Sequence, residues 1–151
     1  MDLIVMKKNG FGTPIWNISA NVGLASPNQA DDVQLVQFGY YATLINPNTK
    51  LTAEQQDLYS KIVLGQPCNG TASDPLVAAI RAHQKVRGGP QDGHVSPIKG
   101  GTSYDGGKHT FMMLALNNNM SDVAPDVFPR IDKHPKCPPL VAAFVKSACK
   151  L

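Results

Sequence analysis

The clearest hydrophobic pattern in the chain runs from Asp31 to Leu44. Val33, Val36, Tyr40 and Leu44 recur at i, i+3, i+7 and i+11, with Tyr41 beside them, which is the stripe of an amphipathic helix near 32–45. Asp31 or Asp32 suits its N-cap, because a carboxylate accepts from the free amides of a first turn and complements the helix dipole. Asn46-Pro47-Asn48 ends it. One polar residue, Gln37, falls inside the apolar stripe.

A second, more polar helix is expected near 53–63. Thr52 and Gln55 form a capping-box pattern, and Leu58 and Ile62 leave only a narrow apolar face, so it should lie on the surface. The third helix, near 74–86, has Asp74 as N-cap and Pro75 at its first position, where a missing amide costs nothing. Leu76, Val77, Ile80, His83 and Gln84 form its inward face, and Gly88-Gly89-Pro90 stops it. A glycine-rich passage of about twenty residues follows, long for a loop inside a compact domain. Residues 110–120 read as a helix through Met112, Leu116 and Met120. A buried strand over TFMMLAL is the competing assignment, disfavoured because Leu, Met and Ala prefer helix. A proline-laden connector leads to a last helix near 139–149. Before residue 22 the alternation is weak and predicts a loop or a short strand, with Trp16 packed as a lid on the core.

Composition narrows the picture. Thirteen glycines and 12 prolines among 151 residues point to short elements joined by long loops. A net charge of +3 without a long Lys/Arg block gives no reason to expect nucleic acid, and Arg81, Lys85 and Arg87 read as a solvated helix edge. No apolar run approaches the ~18 residues of a membrane span, so no membrane insertion is expected. MDLIVMKKNG lacks the apolar stretch of a signal peptide. The chain as written is therefore expected to be cytoplasmic, with a periplasmic or signal-independent exported location as the alternative. Cys68, Cys137 and Cys149 are an odd number. A helix between the last two holds them roughly 15 Å apart, against the ~7 Å a disulfide allows, so they should not bond each other. Cys68 could pair with either.

Signals for chemistry are sparse. His83, His94, His109 and His134 form no His-Glu-x-x-His pattern, and His134 with Cys137 lacks a second close ligand pair, so no metal is expected. There is no nucleophile elbow and no phosphate loop. Glu54 is the only glutamate, which leaves loop aspartates such as Asp92, Asp105, Asp122 and Asp126 as the only source of a carboxylate pair. No catalytic residue and no cofactor are expected.

NQADDVQLVQ and TASDPLVAAIRAHQ share a small polar entry, an aspartate, an apolar stripe and a closing glutamine. Val36-Gln37, then Asn69-Gly70 with Ser73-Asp74 and Val77-Ala78-Ala79-Ile80, then His83-Gln84, then Asp92-Gly93-His94-Val95-Ser96-Pro97 follow in the order seen in peptidoglycan-binding-like domains, which this chain resembles over about residues 18–98. His83-Gln84 stands where that family has aromatic-Gln, and Ser96 stands for a glycine of its turn. The polar second helix widens the usual gap, and residues 98–108 replace the direct entry into a third helix. The resemblance implies a mostly α fold. It would comprise a three-helix core over 18–98 with an inserted helix, an N-terminal extension over 1–17, and a helical extension over 99–151, all in one domain. It implies that Gln37 and Gln84 pin connecting loops, since a buried amide is tolerated only when hydrogen-bonded. It also implies a non-catalytic binding module for cell-wall glycan or its stem peptide, with Asp92, His94 and Ser96 on the ligand surface. The alternative is a protein-interaction adaptor, or an accessory of a bacterial secretion or injection system, that keeps the fold with a protein partner in place of peptidoglycan.

Overall fold

The computed structural model describes residues 1–8, 11–101, 103–104 and 107–150. Among the described residues there are five α-helices, close to where the hydrophobic periodicity sets them: α1 Ala30–Ile45, α2 Ala53–Ser60, which stops short of the expected 63, α3 Pro75–Arg87, α4 Met112–Val123 and α5 Pro139–Ala148. Three two-stranded antiparallel pairs complete the fold: β1 (Asp2–Lys8) with β2 (Phe11–Asn17), β3 (Val22–Gly23) with β4 (His94–Val95), and β5 (Ser103–Tyr104) with β6 (His109–Thr110). With 45% helix and 13% strand, the protein is a small mixed α/β fold in which helices dominate. Asp105 lies outside the described residues.

α1 is the central element and packs on α2, α4 and α5, while β2 lies against α4. One cluster of buried apolar side chains runs from Ile15, Trp16 and Ile18 through Val36, Phe38 and Tyr40 of α1 and Ile80 of α3. It continues to Met113, Leu116 and Met120 of α4 and Val141 and Val145 of α5. Trp16 is fully buried, and its indole N–H donates to the Pro129 carbonyl at 2.8 Å. Gly39 lets α4 approach α1 closely, since a Cβ there would stand 2.9 Å from Leu116 Cβ.

Helix ends follow the sequence in two cases and depart from it in a third. Thr52 and Gln55 form the full capping box of α2. Asp74 accepts from the Leu76 amide at the start of α3, Pro75 takes the first position, and Gly88 closes the helix in the left-handed region at φ 77°. At α1, however, the N-cap is Gln29, with no side-chain cap. Asp31 and Asp32 lie inside the first turn and serve other groups. Asp32 accepts from the Ser19 and Ala20 amides, and both carboxylates hold the Met1 ammonium, at 2.8 and 2.9 Å. Burial opposes that positive charge, but Asp32 and Asp31 outweigh it and raise its pKa.

The expected loop or short strand before residue 22 is a hairpin of two seven-residue strands. Its pairing is completed from outside the sheet: Asn117 of α4 accepts from the Trp16 amide at 2.8 Å and donates to the Trp16 carbonyl at 2.8 Å. All three cysteines are free, in keeping with the separation a helix imposes on Cys137 and Cys149. No helix is long and apolar enough to cross a membrane among the described residues.

Candidate functional site

The turn over residues 92–96 is anchored from below by α3. Gln84, in the last turn of α3, is buried, and its carboxamide meets three groups of the turn. Its Nε2 donates to Asp92 Oδ1 at 2.8 Å and to the His94 carbonyl at 3.1 Å, and its Oε1 accepts from the Gly93 amide at 2.9 Å. Gly93 needs its freedom here: its φ is 79°, and a Cβ would stand 3.1 Å from Leu24 Cβ. On the far side the turn becomes β4, paired with β3, and the Leu24 amide donates to the Gly93 carbonyl at 2.9 Å.

Gln37 does the same work at another loop. Its Nε2 donates to the Gln66 carbonyl at 2.7 Å and its Oε1 accepts from the Gly65 amide at 3.0 Å. Both glutamines on the apolar stripes therefore pin loops. Each replaced by leucine should cost about 1–3 kcal/mol despite the added apolar surface, because loop groups are left without partners. Urea unfolding of Gln37→Leu and Gln84→Leu measures this, and equal or raised stability in both would show the hydrogen bonds to be dispensable.

The three residues expected on the ligand surface come together. Asp92, His94 and Ser96 line a cleft of about 320 Å³ together with Gln84, Arg87, Pro90, Phe111 and Met112. His94 Nε2 stands 3.5 Å from Asp92 Oδ2. Arg87, at the end of α3, turns its guanidinium to the Thr110 carbonyl, so the last turn of α3 is tied to the strand that leads into α4. The result is a half-open cleft lined by a cation, an imidazole–carboxylate pair, an aromatic and a thioether side chain.

Two features of this site depart from the sequence reading. Asp92 is not a free ligand group: its Oδ1 is committed to Gln84 and to the His94 amide. Its replacement should disturb the turn as well as any ligand contact. Arg87, grouped with Arg81 and Lys85 as a solvated edge, belongs to the cleft, whereas Lys85 makes a surface ion pair with Glu54 at 3.5 Å. Phe111 and Met112 were hidden from local reading because they lie far along the sequence from the turn whose cleft they share. Their apolar character next to a glycine-rich passage was the one available signal.

Burial perturbs several ionisable groups outside the cleft. Burial pushes the Cys137 thiol up to about 12 and raises Cys68 as well, which suppresses thiolate formation at neutral pH. His83 shares a 3.0 Å hydrogen bond with the Tyr40 hydroxyl inside the core. Asp122 accepts from Asn46 across the α1–α4 contact. Among the described residues no group of three or more His, Cys, Asp or Glu side chains is gathered as a metal would require. Compared with protein-family models, with curated proteins and with solved structures, the chain matches none.

Proposed function

We propose that this protein is a non-catalytic binding module, related in design to peptidoglycan-binding-like three-helix domains, and that its cleft takes cell-wall glycan or the attached stem peptide. The observation that carries this reading is the convergence of Asp92, His94 and Ser96 with Arg87, Phe111 and Met112 on one cleft of about 320 Å³. Ligand clefts combine apolar and aromatic surface with a few convergent polar groups, and this one has that make-up. Sugar rings have apolar faces suited to Phe111 and hydroxyls suited to His94 and Ser96. The carboxylate of a stem peptide suits Arg87, whose planar guanidinium binds such groups well.

Rigidity is the second support. The turn is held by the Gln84 carboxamide and by β3, so the polar groups need little ordering when a ligand arrives, which lowers the cost of binding. A turn held this firmly suits recognition of a ligand without rearrangement.

Co-sedimentation with purified peptidoglycan tests the proposal. Wild-type protein should pellet with the wall polymer. A His94→Ala and Ser96→Ala double variant should remain in the supernatant while its thermal midpoint shifts little, because both side chains stand at a cleft rim where truncation costs less than ~1 kcal/mol. Asp92 is unsuited to this test, since it supports the turn. Wild-type protein that stays in the supernatant would dismiss the glycan reading, leaving the adaptor reading in its place.

A further inference from the structure

The hydrogen bonds around the cleft leave its acceptors committed and its donors in reserve. Gln84 Oε1 accepts from the Gly93 amide at 2.9 Å, and the His94 carbonyl accepts from Gln84 Nε2 at 3.1 Å. Asp92 Oδ1 accepts from Gln84 Nε2 at 2.8 Å and from the His94 amide at 3.2 Å, and its Oδ2 faces His94 Nε2 at 3.5 Å. That carboxylate is therefore surrounded by donors of the protein itself. Arg87 is in the opposite position. A guanidinium carries five N–H groups, and only one nitrogen of Arg87 is engaged, on the Thr110 carbonyl. Among the described residues Arg87 has no carboxylate partner, since the ion pairs there join other groups. It is also the single Lys or Arg among the residues that line the cleft. Ser96 adds a hydroxyl from the turn to the same lining.

We infer that the cleft binds the free C-terminal carboxylate of a peptide, which in the wall polymer is the uncross-linked end of a stem peptide, and that the sugar chain is not its ligand. The inference rests on the reading of this cleft as the ligand site and narrows it. Every sugar hydroxyl donates as well as accepts, and a cleft whose acceptors are committed leaves those donors unanswered, at the cost of their lost water. A carboxylate only accepts. It matches the planar fork of Arg87 with two parallel bonds, and its single charge balances the single cation of the lining. A phosphate dianion would leave one charge unmatched. Phe111 and Met112 supply apolar surface for the carbon atoms beside the carboxylate, the mixture usual in ligand clefts. Cross-linking or amidation turns that end into an amide, which has no charge and brings N–H donors of its own, so either should prevent recognition.

Calorimetric titration of the unaltered protein with acetyl-lysyl-D-alanyl-D-alanine and with its C-terminal amide tests this without any variant. The free acid should bind, and the amide should bind roughly tenfold or more weakly, the effect of losing a charge-assisted pair of bonds. Arg87→Gln should lower the affinity for the acid to that for the amide, and a chito-oligosaccharide without peptide should not bind. Equal affinity for acid and amide, no binding of the acid, or binding of the sugar alone would overturn the inference. The binding-module reading is judged separately, by whether the protein pellets with peptidoglycan. Protein that pellets with the wall yet ignores the carboxylate refutes this inference alone. Protein that stays in the supernatant, but binds an unrelated L-peptide with a free C-terminus as well as the stem analogue, keeps the carboxylate and refutes the wall as its source.

Discussion

Gly23→Ala should destabilise the protein by at least about 3 kcal/mol and open the cleft at the same time. Two effects add at this residue. Its φ is 124°, a conformation that L residues rarely adopt, and forcing one there costs on the order of 1–3 kcal/mol. A Cβ would also stand 2.3 Å from the Gly93 carbonyl oxygen and 2.9 Å from His94 Cα, both backbone atoms that cannot swing aside. The close approach is no accident of packing. Gly23 pairs with His94 in the β3–β4 ladder, and Asn28 locks it from the other side through Gly23 N–H to Oδ1 at 2.7 Å and Nδ2 to the Gly23 carbonyl at 2.9 Å. Relief is available only by pushing β4 outward, which would strain the Gln84 hydrogen bonds to residues 92–94. Gly100→Ala is the comparison without a clash. Its φ is 69° with nothing within 4 Å, so it should cost only about 1 kcal/mol. Denaturant unfolding of the two variants should differ by the clash together with the greater strain at φ 124°, and comparable small losses would mean that β3 and β4 can separate without penalty.

Much of the helical framework was legible because each helix carries several agreeing signals. α3 has an aspartate cap, a first-position proline, an apolar stripe and a closing glycine, and it spans Pro75–Arg87 as those marks require. The turn over 92–96 and its anchoring by Gln84 were expected from the resemblance to peptidoglycan-binding-like domains. What escaped has a common cause: it depends on partners distant in sequence. Asn17 holds the Ile98 amide and carbonyl, Gln34 accepts from the Leu140 amide at the uncapped start of α5, and Asn117 closes the edge of β2. None of these amides stands on an apolar stripe clear enough to announce burial, unlike Gln37 and Gln84. The aspartates at the start of α1 matched a capping pattern, and the long-range demand of the Met1 ammonium and the residue 19–20 amides took them instead. The strand pairs were faint for a related reason. Two-residue strands such as β3 and β4 have no periodicity to read, and β2 breaks its alternation with Pro14.

Acidification from pH 7 towards pH 4 should remove about 3 kcal/mol of stability through His83 alone. Burial lowers the imidazole's pKa to about 4, helped by the positive charge of Arg87, against about 6.5 for a histidine in the unfolded chain. The sign follows from proton counts. Between those values the unfolded chain binds a proton that the folded chain refuses, so unfolding is favoured as pH falls. The contribution is complete above about pH 6.5, drains through the window and is lost near pH 4. A difference of roughly 2.5 units at ~1.4 kcal/mol each sets its size. The groups around the ring leave no escape. Tyr40 lies on one side, with its hydroxyl 3.0 Å from Nδ1 and its own pKa raised by burial, while Tyr59 packs beyond Tyr40 with its ring tilted by 56° and Arg87 supplies only repulsion. His134, packed edge-on against Phe38 and Tyr41, has a pKa lowered by desolvation and adds a smaller loss of the same sign. His83→Gln keeps a polar atom for Tyr40 and removes the titration. Its stability should therefore change far less than the wild type's between pH 6.5 and 5, a range above most carboxylate titration. Parallel stability curves for the two proteins over that range would show that His83 accepts its proton inside the fold.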